Sequence, residues 1–404
     1  METMIQKIRT KLVWCGKSTV QCVLIMVELF NKNGLANHAA AGAYGFLFSA
    51  APTLLIVMLF ISEVVKSTPE TAVAIIGQMG LINYAFNLRR LSENILNFSE
   101  PGIAGVILIV GLLFTTRIFA LSLQRGLGVI FPGTDSIKPV KKLVSSVLIE
   151  AALILFAFTA VFVSNAGLLS FHVMAGILVF LSYTLVPAKA PKRSAAFAGT
   201  ICCLGLFFAF ILMPQFMLKT ERFYFMYGTL GTLLILLINV YFFFALFYAG
   251  AELTFIIDSF DALLLARFIH AVSETEKKRF STRWFASVDG TLNKYIRSYA
   301  HGTVLFSRGE ESYEVYYVLS GDAAIYLDEG VLLMLAGPGK LLGEMGHFLS
   351  ESRSATVKAH TDLEVLAIPP LLFQDVLQFN YDADKKVITL LSERLRNANE
   401  KLIS

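Results

Sequence analysis

The sequence predicts a chain that combines two fold classes: a membrane all-α part built as a six-helix bundle, and a C-terminal β-roll of jelly-roll type with flanking helices. Composition is the first observation, since 56% of the 404 residues are hydrophobic and 16% are charged, whereas soluble domains carry about 25% charged residues. The second is that charges are sparse from Ala39 to Ile257 and frequent from Asp258 onward. The main domain boundary is therefore expected near Asp258.

Six stretches are long and apolar enough to cross a bilayer, which requires about 20 apolar residues. They are Ala39–Ser62, Gly102–Leu123, Leu143–Leu169, Phe171–Pro187, Ala195–Leu218 and Tyr227–Ile257. The third and fourth nearly touch, which predicts a tight helical hairpin. Before them, Thr19–Phe30 is apolar but short and contains Glu28. These features favour a helix that lies along the membrane surface.

Basic side chains are distributed unevenly between the two ends of these spans. One side holds the lysines and arginines of residues 7–32, 125–142 and 189–193, and the other holds fewer, mixed with glutamates. Because the more basic side is normally cytoplasmic, six spans place both termini in the cytoplasm. The net charge of +4 is too small to indicate a nucleic-acid partner.

Polar side chains at membrane depth cost free energy and usually face a bundle interior or a water-filled cavity. The candidates for a polar pathway through the bundle are Arg117, Glu150, Asn239 and Glu252. A structural alternative is that Glu150 or Glu252 pairs with Arg117, or lies near the interface. The sequence leaves both interpretations open.

Three segments of this part resemble the YihY/BrkB family of six-helix inner-membrane proteins. They are NHAAAGAYGFLFSAAPTLLIVM (Asn37–Met58), VPAKAPKRSAAFAGT (Val186–Thr200) and YGTLGTLLILLINVYFFFALFYAGAEL (Tyr227–Leu253). The resemblance implies a fold and a location in the inner membrane more than a reaction. Family members are often labelled ribonuclease BN, but metal-dependent RNA cleavage needs clustered His and Asp ligands. The six histidines are scattered singly, so we expect neither a nuclease nor a metal site.

Beyond the last predicted span, the pattern changes twice. Residues 258–285 predict a linker helix, which either transmits a signal or acts as a solvated spacer. From Gly302 onward, short alternating runs are broken by glycine, as in EVYYVLSG and AAIYLDEG, and this pattern is typical of a β-roll. Helical patterns return after Pro370. The predicted domains are an N-terminal cytoplasmic or interfacial helix (1–38), the six-span region (39–257), the linker helix (258–285) and the roll (286–404).

The segment GEMGHFLSESRSATVKA, Gly343–Ala359, is polar and punctuated by glycine. Gly343 allows the backbone to approach a ligand closely, and Glu344 offers a carboxylate to a ribose hydroxyl. Backbone amides at residues 346–348 would form an anion nest if they open a short helix. Arg353 offers a guanidinium fork to a phosphate, with the Ser354 hydroxyl beside it. A sugar acceptor and phosphate donors together predict a cyclic nucleotide site.

The same segment resembles the phosphate-binding cassette of the cyclic-nucleotide-binding domain family, and the resemblance spans about Trp284–Leu402. It implies that Glu344 meets the ribose and that Arg353 and Ser354 meet the cyclic phosphate. The full set of ligand residues that we expect is Gly343, Glu344, Met345, Gly346, Arg353, Ser354 and Ala355, with Arg394 or Asn397 from the lid helix over the base. Gly346 and His347 depart from the Ala-Leu of many members. The alternative is a degenerate domain without a ligand.

The leading functional hypothesis is a transporter or permease of unknown substrate that is regulated by cytoplasmic cyclic nucleotide, with cAMP favoured over cGMP. The alternative is a non-transporting membrane scaffold or sensor with a nucleotide-binding or degenerate tail. No phosphate-loop motif, catalytic triad or metal-ligand spacing predicts an enzyme. We expect no cofactor apart from the nucleotide as a regulatory ligand. The expected partners are the lipid bilayer and, as an option, further copies of the chain.

Overall fold

The computed structural model describes residues 18–49, 102–131, 167–187, 190–217, 221–273, 285, 290–311, 314–327, 331–349 and 351–379. The chain divides into two compact units. One unit is Met26–Asp258, and the other joins Ser259–Ser404 with Met1–Ile25.

The first two-thirds of the described chain is helical. The helices are α1 (18–32), α2 (35–49), α3 (Gly102–Ile130), α4 (Gly167–Leu185), α5 (Arg193–Met217) and α6 (Glu221–Asp258). A two-residue turn at Asn33–Gly34 separates α1 from α2. Each of these segments is rich in leucine, phenylalanine and alanine, and the long apolar runs favour helices whose backbone groups are satisfied internally.

Helices occupy the predicted positions of the second, fourth, fifth and sixth spans. Among the described residues, one stretch, Leu237–Asp258, is long and apolar enough to cross a membrane. The six-span bundle therefore stays a prediction. One predicted boundary was wrong, because α4 begins at Gly167 and includes residues that we had assigned to the third span. The helix runs through Ser170 since serine is only mildly unfavourable inside a helix.

Aromatic rings pack where α2, α3 and α6 meet. The rings of Phe46, Phe119 and Phe244 lie 5.7–6.1 Å apart between centroids, and two of the three pairs are edge-to-face. Such arrangements are favoured because the positive edge of one ring meets the negative face of another. One turn further along α6, the Tyr183 hydroxyl of α4 donates a hydrogen bond to the Phe247 carbonyl, 2.5 Å away.

The C-terminal unit contains a roll of two four-stranded antiparallel sheets. The strands are β1 (Ile296–Tyr299), β2 (Val304–Phe306), β3 (Val315–Ser320), β4 (Ala323–Tyr326), β5 (Leu332–Ala336), β6 (Leu341–Leu342), β7 (Thr356–Ala359) and β8 (Leu363–Ile368). One sheet has the order β1-β8-β3-β6 and the other β2-β7-β4-β5. Alternate residues of both sheets, including Val318 and Val365 at 0% exposure, form a shared apolar core.

The short alternating runs predicted from Gly302 onward correspond to β2–β8. Strand β1 was not predicted, because only four residues pair with β8 and they are mostly polar or exposed. Two helices accompany the roll at predicted positions: α8 (Glu344–Leu349) within the cassette and α9 (Pro370–Phe379) after it. Between β1 and the linker helix lies a 3-10 helix, Gly290–Tyr295.

The predicted linker helix is described as α7, Phe260–Ser273. It packs within the C-terminal unit, where the rings of Phe268 and Tyr317 on β3 meet edge to face at 6.1 Å. The Asp261 carboxylate accepts hydrogen bonds from Lys294 and Tyr295 of the 3-10 helix. These contacts place α7 within the C-terminal unit, and the role of the linker in transmission stays a prediction.

Candidate functional site

The cassette begins with a sharp backbone turn between β6 and α8. Gly343 makes this turn with φ at 78°, a left-handed conformation that side chains other than glycine rarely adopt. A Cβ atom on this residue would also overlap the guanidinium of Arg353. The close approach of a ligand to Gly343 stays a prediction, and the group beside this residue in the structure is the chain's own Arg353.

Arg353 lies just before β7 and is 2% exposed. Its Nη1 donates to the Gly343 carbonyl at 2.8 Å, and its Nη2 donates to the Glu314 carbonyl at 2.6 Å. One guanidinium therefore joins the start of the cassette to the start of β3. Hydrogen bonds of a charged donor are about twice as strong as neutral ones, so Arg353 fixes the position of this turn.

Two aromatic rings support the guanidinium from within the roll. The Arg353 Cζ atom lies 4.2 Å from the ring centroid of Phe306 and 5.9 Å from that of Tyr316. The two rings stack on each other at 5.7 Å. A cation over an aromatic face is stabilised by the ring quadrupole, more so when both are desolvated. Burial lowers the pKa of Arg353 from its ordinary value, and nearby groups, among them Tyr316 and Glu344, oppose that shift.

Glu314 links this arrangement to the surface through its side chain. Both of its carboxylate oxygens accept hydrogen bonds from Arg297 on β1, each at 2.8 Å, and the Tyr316 hydroxyl donates to one of them at 3.0 Å. The Arg297 hydrogen bonds lower the pKa of Glu314, as the largest cause. Glu314 therefore holds Arg297 with its side chain and Arg353 with its backbone.

Replacing Glu314 with glutamine should cost about 0.5–1 kcal/mol of stability at neutral pH, since the pair with Arg297 is partly exposed and screened by solvent. In the parent, this contribution is present above the ordinary value of 4.5 and is lost as the pH falls through the lowered pKa. The variant lacks that loss. Chemical denaturation at a series of pH values between about 3 and 7 would measure the difference. Glu364→Gln, at an exposed position on β8, is the matched control. The difference in free energy of unfolding between this variant and the parent should not change across the same pH range.

The remaining predicted ligand residues lie around the same turn. Glu344 opens α8 and is buried, at 5% exposure. Of the others, Gly346 is buried, Met345 and Ala355 are half-buried and Ser354 is exposed. The cassette thus places two buried charged side chains, Glu344 and Arg353, beside the same turn. Arg394 and Asn397 lie outside the described residues.

Helix α8 packs on α9 through aromatic rings. His347 meets Phe373 edge to face at 5.2 Å, and Phe348 meets the same ring at 5.9 Å. Helix α9 in turn packs against α7. The cassette is therefore connected through α9 to the linker helix, within one compact unit.

Sequence reasoning missed the groups that hold Arg353 in place. The alternating pattern places Phe306 and Tyr316 in predicted strands and gives no signal for Glu314 or Arg297. Alternation identifies which residues of a strand face the core, but it does not reveal which core ring lies under a charge. The sequence indicates only that an arginine lies in a glycine-rich segment. It does not indicate which groups hold the guanidinium.

The candidate polar residues of the helical unit are not gathered into one pathway by the described residues. Arg117 is exposed on α3 and Asn239 is half-buried on α6. Glu252 is 0% exposed and accepts a hydrogen bond from Asn33 at 3.3 Å, rather than from Arg117. Glu150 lies outside the described residues. Among the residues that are described, no cluster of three or more metal-ligating side chains occurs.

Family comparisons agree with these two architectures. Residues 296–380 match the cyclic nucleotide-binding domain model, so the tail belongs to that class of domain. Residues 26–264, more than half of the chain, match the model described as virulence factor BrkB. The chain belongs to the BrkB family, a family of membrane proteins, and it carries a C-terminal cyclic nucleotide-binding domain.

Several curated proteins resemble the tail. The cAMP-activated global transcriptional regulator CRP of Salmonella typhimurium is 30% identical over 124 residues, which cover 30% of this chain and 57% of that protein. The CRP-like protein Clp of Xanthomonas oryzae is 28% identical over 142 residues, covering 31% and 62%. This chain thus spans little more than half the length of these relatives. The Thermus thermophilus catabolite activator protein structure shares 31% identity, covering 26% of this chain and 52% of that chain, with a TM-score of 0.25.

Proposed function

We propose that this chain is a multi-pass inner-membrane protein with both termini in the cytoplasm, in which cyclic nucleotide bound to the tail regulates transport by the helical region. The substrate class is a solute, an ion or a lipid, and the proposal assigns no enzymatic reaction. We infer cAMP rather than cGMP as the ligand, because Ser354 stands where cGMP-selective domains of this class often carry threonine.

One observation carries the proposal of nucleotide binding. Glu344 and Arg353 are both buried and flank the left-handed turn at Gly343. A buried acid and a buried guanidinium are costly to maintain unless their geometry is fixed by further bonds. Here the guanidinium is fixed by two carbonyls and an aromatic ring. Such a pre-organised pair is suited to a ligand that presents hydroxyls and a phosphate together.

The connection from α8 through α9 to α7 supports regulation of the helical region. Helix α7 begins two residues after α6 ends. A displacement of α7 would therefore pull on the C-terminal end of α6 through this short connection. A ligand shifts such an equilibrium only by its differential affinity for two states. Couplings of this kind are typically about 1–3 kcal/mol.

Replacing Glu344 with glutamine should weaken cAMP binding about 10- to 100-fold, because a hydrogen bond to a charged group contributes about 1.5–3 kcal/mol. Calorimetric titration of the full-length protein in detergent would measure it. Lys358→Ala, which alters an exposed cation on β7, should bind like the parent. If the parent itself fails to bind either nucleotide, the degenerate-tail alternative replaces this proposal.

Proteoliposomes would separate a transporter from a scaffold. With a pH-sensitive dye inside and a potassium gradient across the membrane, ion flux that changes on adding cAMP supports regulated transport. If cAMP binds but neither protons nor potassium ions cross the membrane with or without it, the result favours a scaffold that does not transport these ions. Glu150→Gln and Glu252→Gln should alter flux and leave nucleotide binding unchanged if the two acids line the pathway.

A further inference from the structure

Glu252 is a carboxylic acid enclosed by the helical unit. Its side chain is 0% exposed. One oxygen, Oε1, accepts a hydrogen bond from the Asn33 amide at 3.3 Å, and Oε2 is buried with no hydrogen-bond partner among the described residues. Charge-assisted hydrogen bonds are normally about 2.7–2.9 Å long. A single, long bond from a neutral amide is therefore a poor environment for a carboxylate.

The charged and titratable groups around Glu252 do not supply a counter-charge within the described part of the chain. On the α2 side, the His38 ring contacts Tyr248, one helical turn away on α6. The Tyr248 hydroxyl points to a backbone carbonyl of α3. On the α5 side, Lys192 pairs with Asp258 at 3.8 Å. The ionised form of a buried acid without such a partner is strongly disfavoured relative to the neutral form.

We propose that Glu252 is a proton-binding site that is occupied in this conformation. The ligand is H⁺, and the bond that forms or breaks is the O–H bond of the carboxyl group. When the proton leaves, the charge must gain water or a new donor. The inference holds whether or not the helical unit transports a substrate.

Infrared spectroscopy of the full-length protein in detergent tests the protonation directly. At neutral pH, the parent should show the C=O stretch of a protonated carboxylic acid, and Glu252→Gln should lack it. Glu28→Gln, an exposed acid on α1, is the matched control and should keep the band. A parent-minus-Glu252→Gln difference that contains only carboxylate bands would overturn the proposal, as would loss of the band in Glu28→Gln.

A second variant keeps the test decisive if Glu252→Gln does not fold. Asn33→Ala removes the hydrogen bond that the Glu252 carboxyl group accepts, so the pH at which the acid band disappears should change. The melting temperature of the parent should fall as the pH rises through the neutral range, because the folded state binds the extra proton. An unchanged titration in Asn33→Ala, together with a flat melting temperature in the parent, would show that Glu252 holds no proton here.

Discussion

Replacing Arg353 with alanine is expected to destabilise the tail by about 3–5 kcal/mol and to abolish detectable cyclic nucleotide binding. The loss of stability has two sources. The carbonyls of Gly343 and Glu314 lose their donor, at about 1–3 kcal/mol each for groups left buried. The volume over the Phe306 ring is left unfilled, which adds a cavity cost. Hydrogen-exchange mass spectrometry of full-length protein would locate the loss in β3, β6 and the cassette.

Arg353→Lys is the informative comparison for this prediction. Lysine keeps the charge but lacks the planar fork that reaches two carbonyls at once, so its effect should fall between parent and alanine. Lys358→Ala should leave exchange in these strands unchanged. Parent-like protection in Arg353→Ala would mean that the guanidinium does not hold the turn, and the support assigned to it here would be wrong.

The cassette was predictable because its signal is local. A glycine, an acid and an arginine stand within one short segment, and the strands around it alternate clearly enough to predict β2–β8. The support of Arg353 was not predictable in the same way. Glu314 lies 39 residues from Arg353 in sequence, and the stacking of Phe306 on Tyr316 depends on how the two sheets face each other.

The helical unit shows the same limit. Apolar length predicted where α3, α4, α5 and α6 lie, since a long apolar run favours a helix in either a membrane or a protein core. It did not locate the start of α4, where no strong breaker marks the boundary. Nor did it give the partner of Glu252, because Asn33 is 219 residues away. The structural alternative of a pair with Arg117 rested on opposite charge alone, and charge does not determine which helices are neighbours.

The backbones of α5 and α6 lie so close together at Gly199 that any side chain there is expected to destabilise the protein. A Cβ atom added at Gly199 would overlap the Gly250 carbonyl and the Thr254 hydroxyl of α6. The carbonyl belongs to a helix backbone and has little freedom to move. Small residues allow such helix approaches in membrane proteins, and larger ones separate the helices. Gly199→Val should therefore cost about 3 kcal/mol, at the upper end of typical overpacking effects.

Gly205 provides the control on the same helix. Among the described residues, a Cβ atom there meets nothing within 4 Å, so Gly205→Ala should be neutral or should stabilise α5 by about 0.5–1 kcal/mol through helix propensity. Gly199→Ala adds the same methyl group and should destabilise the protein, so one substitution has opposite signs at two positions. Thermal unfolding of full-length protein in detergent measures both. Equal melting temperatures for the two alanine variants would show that α5 and α6 can separate without a cost in stability. The close packing at Gly199 would then not contribute to the stability of the helical unit.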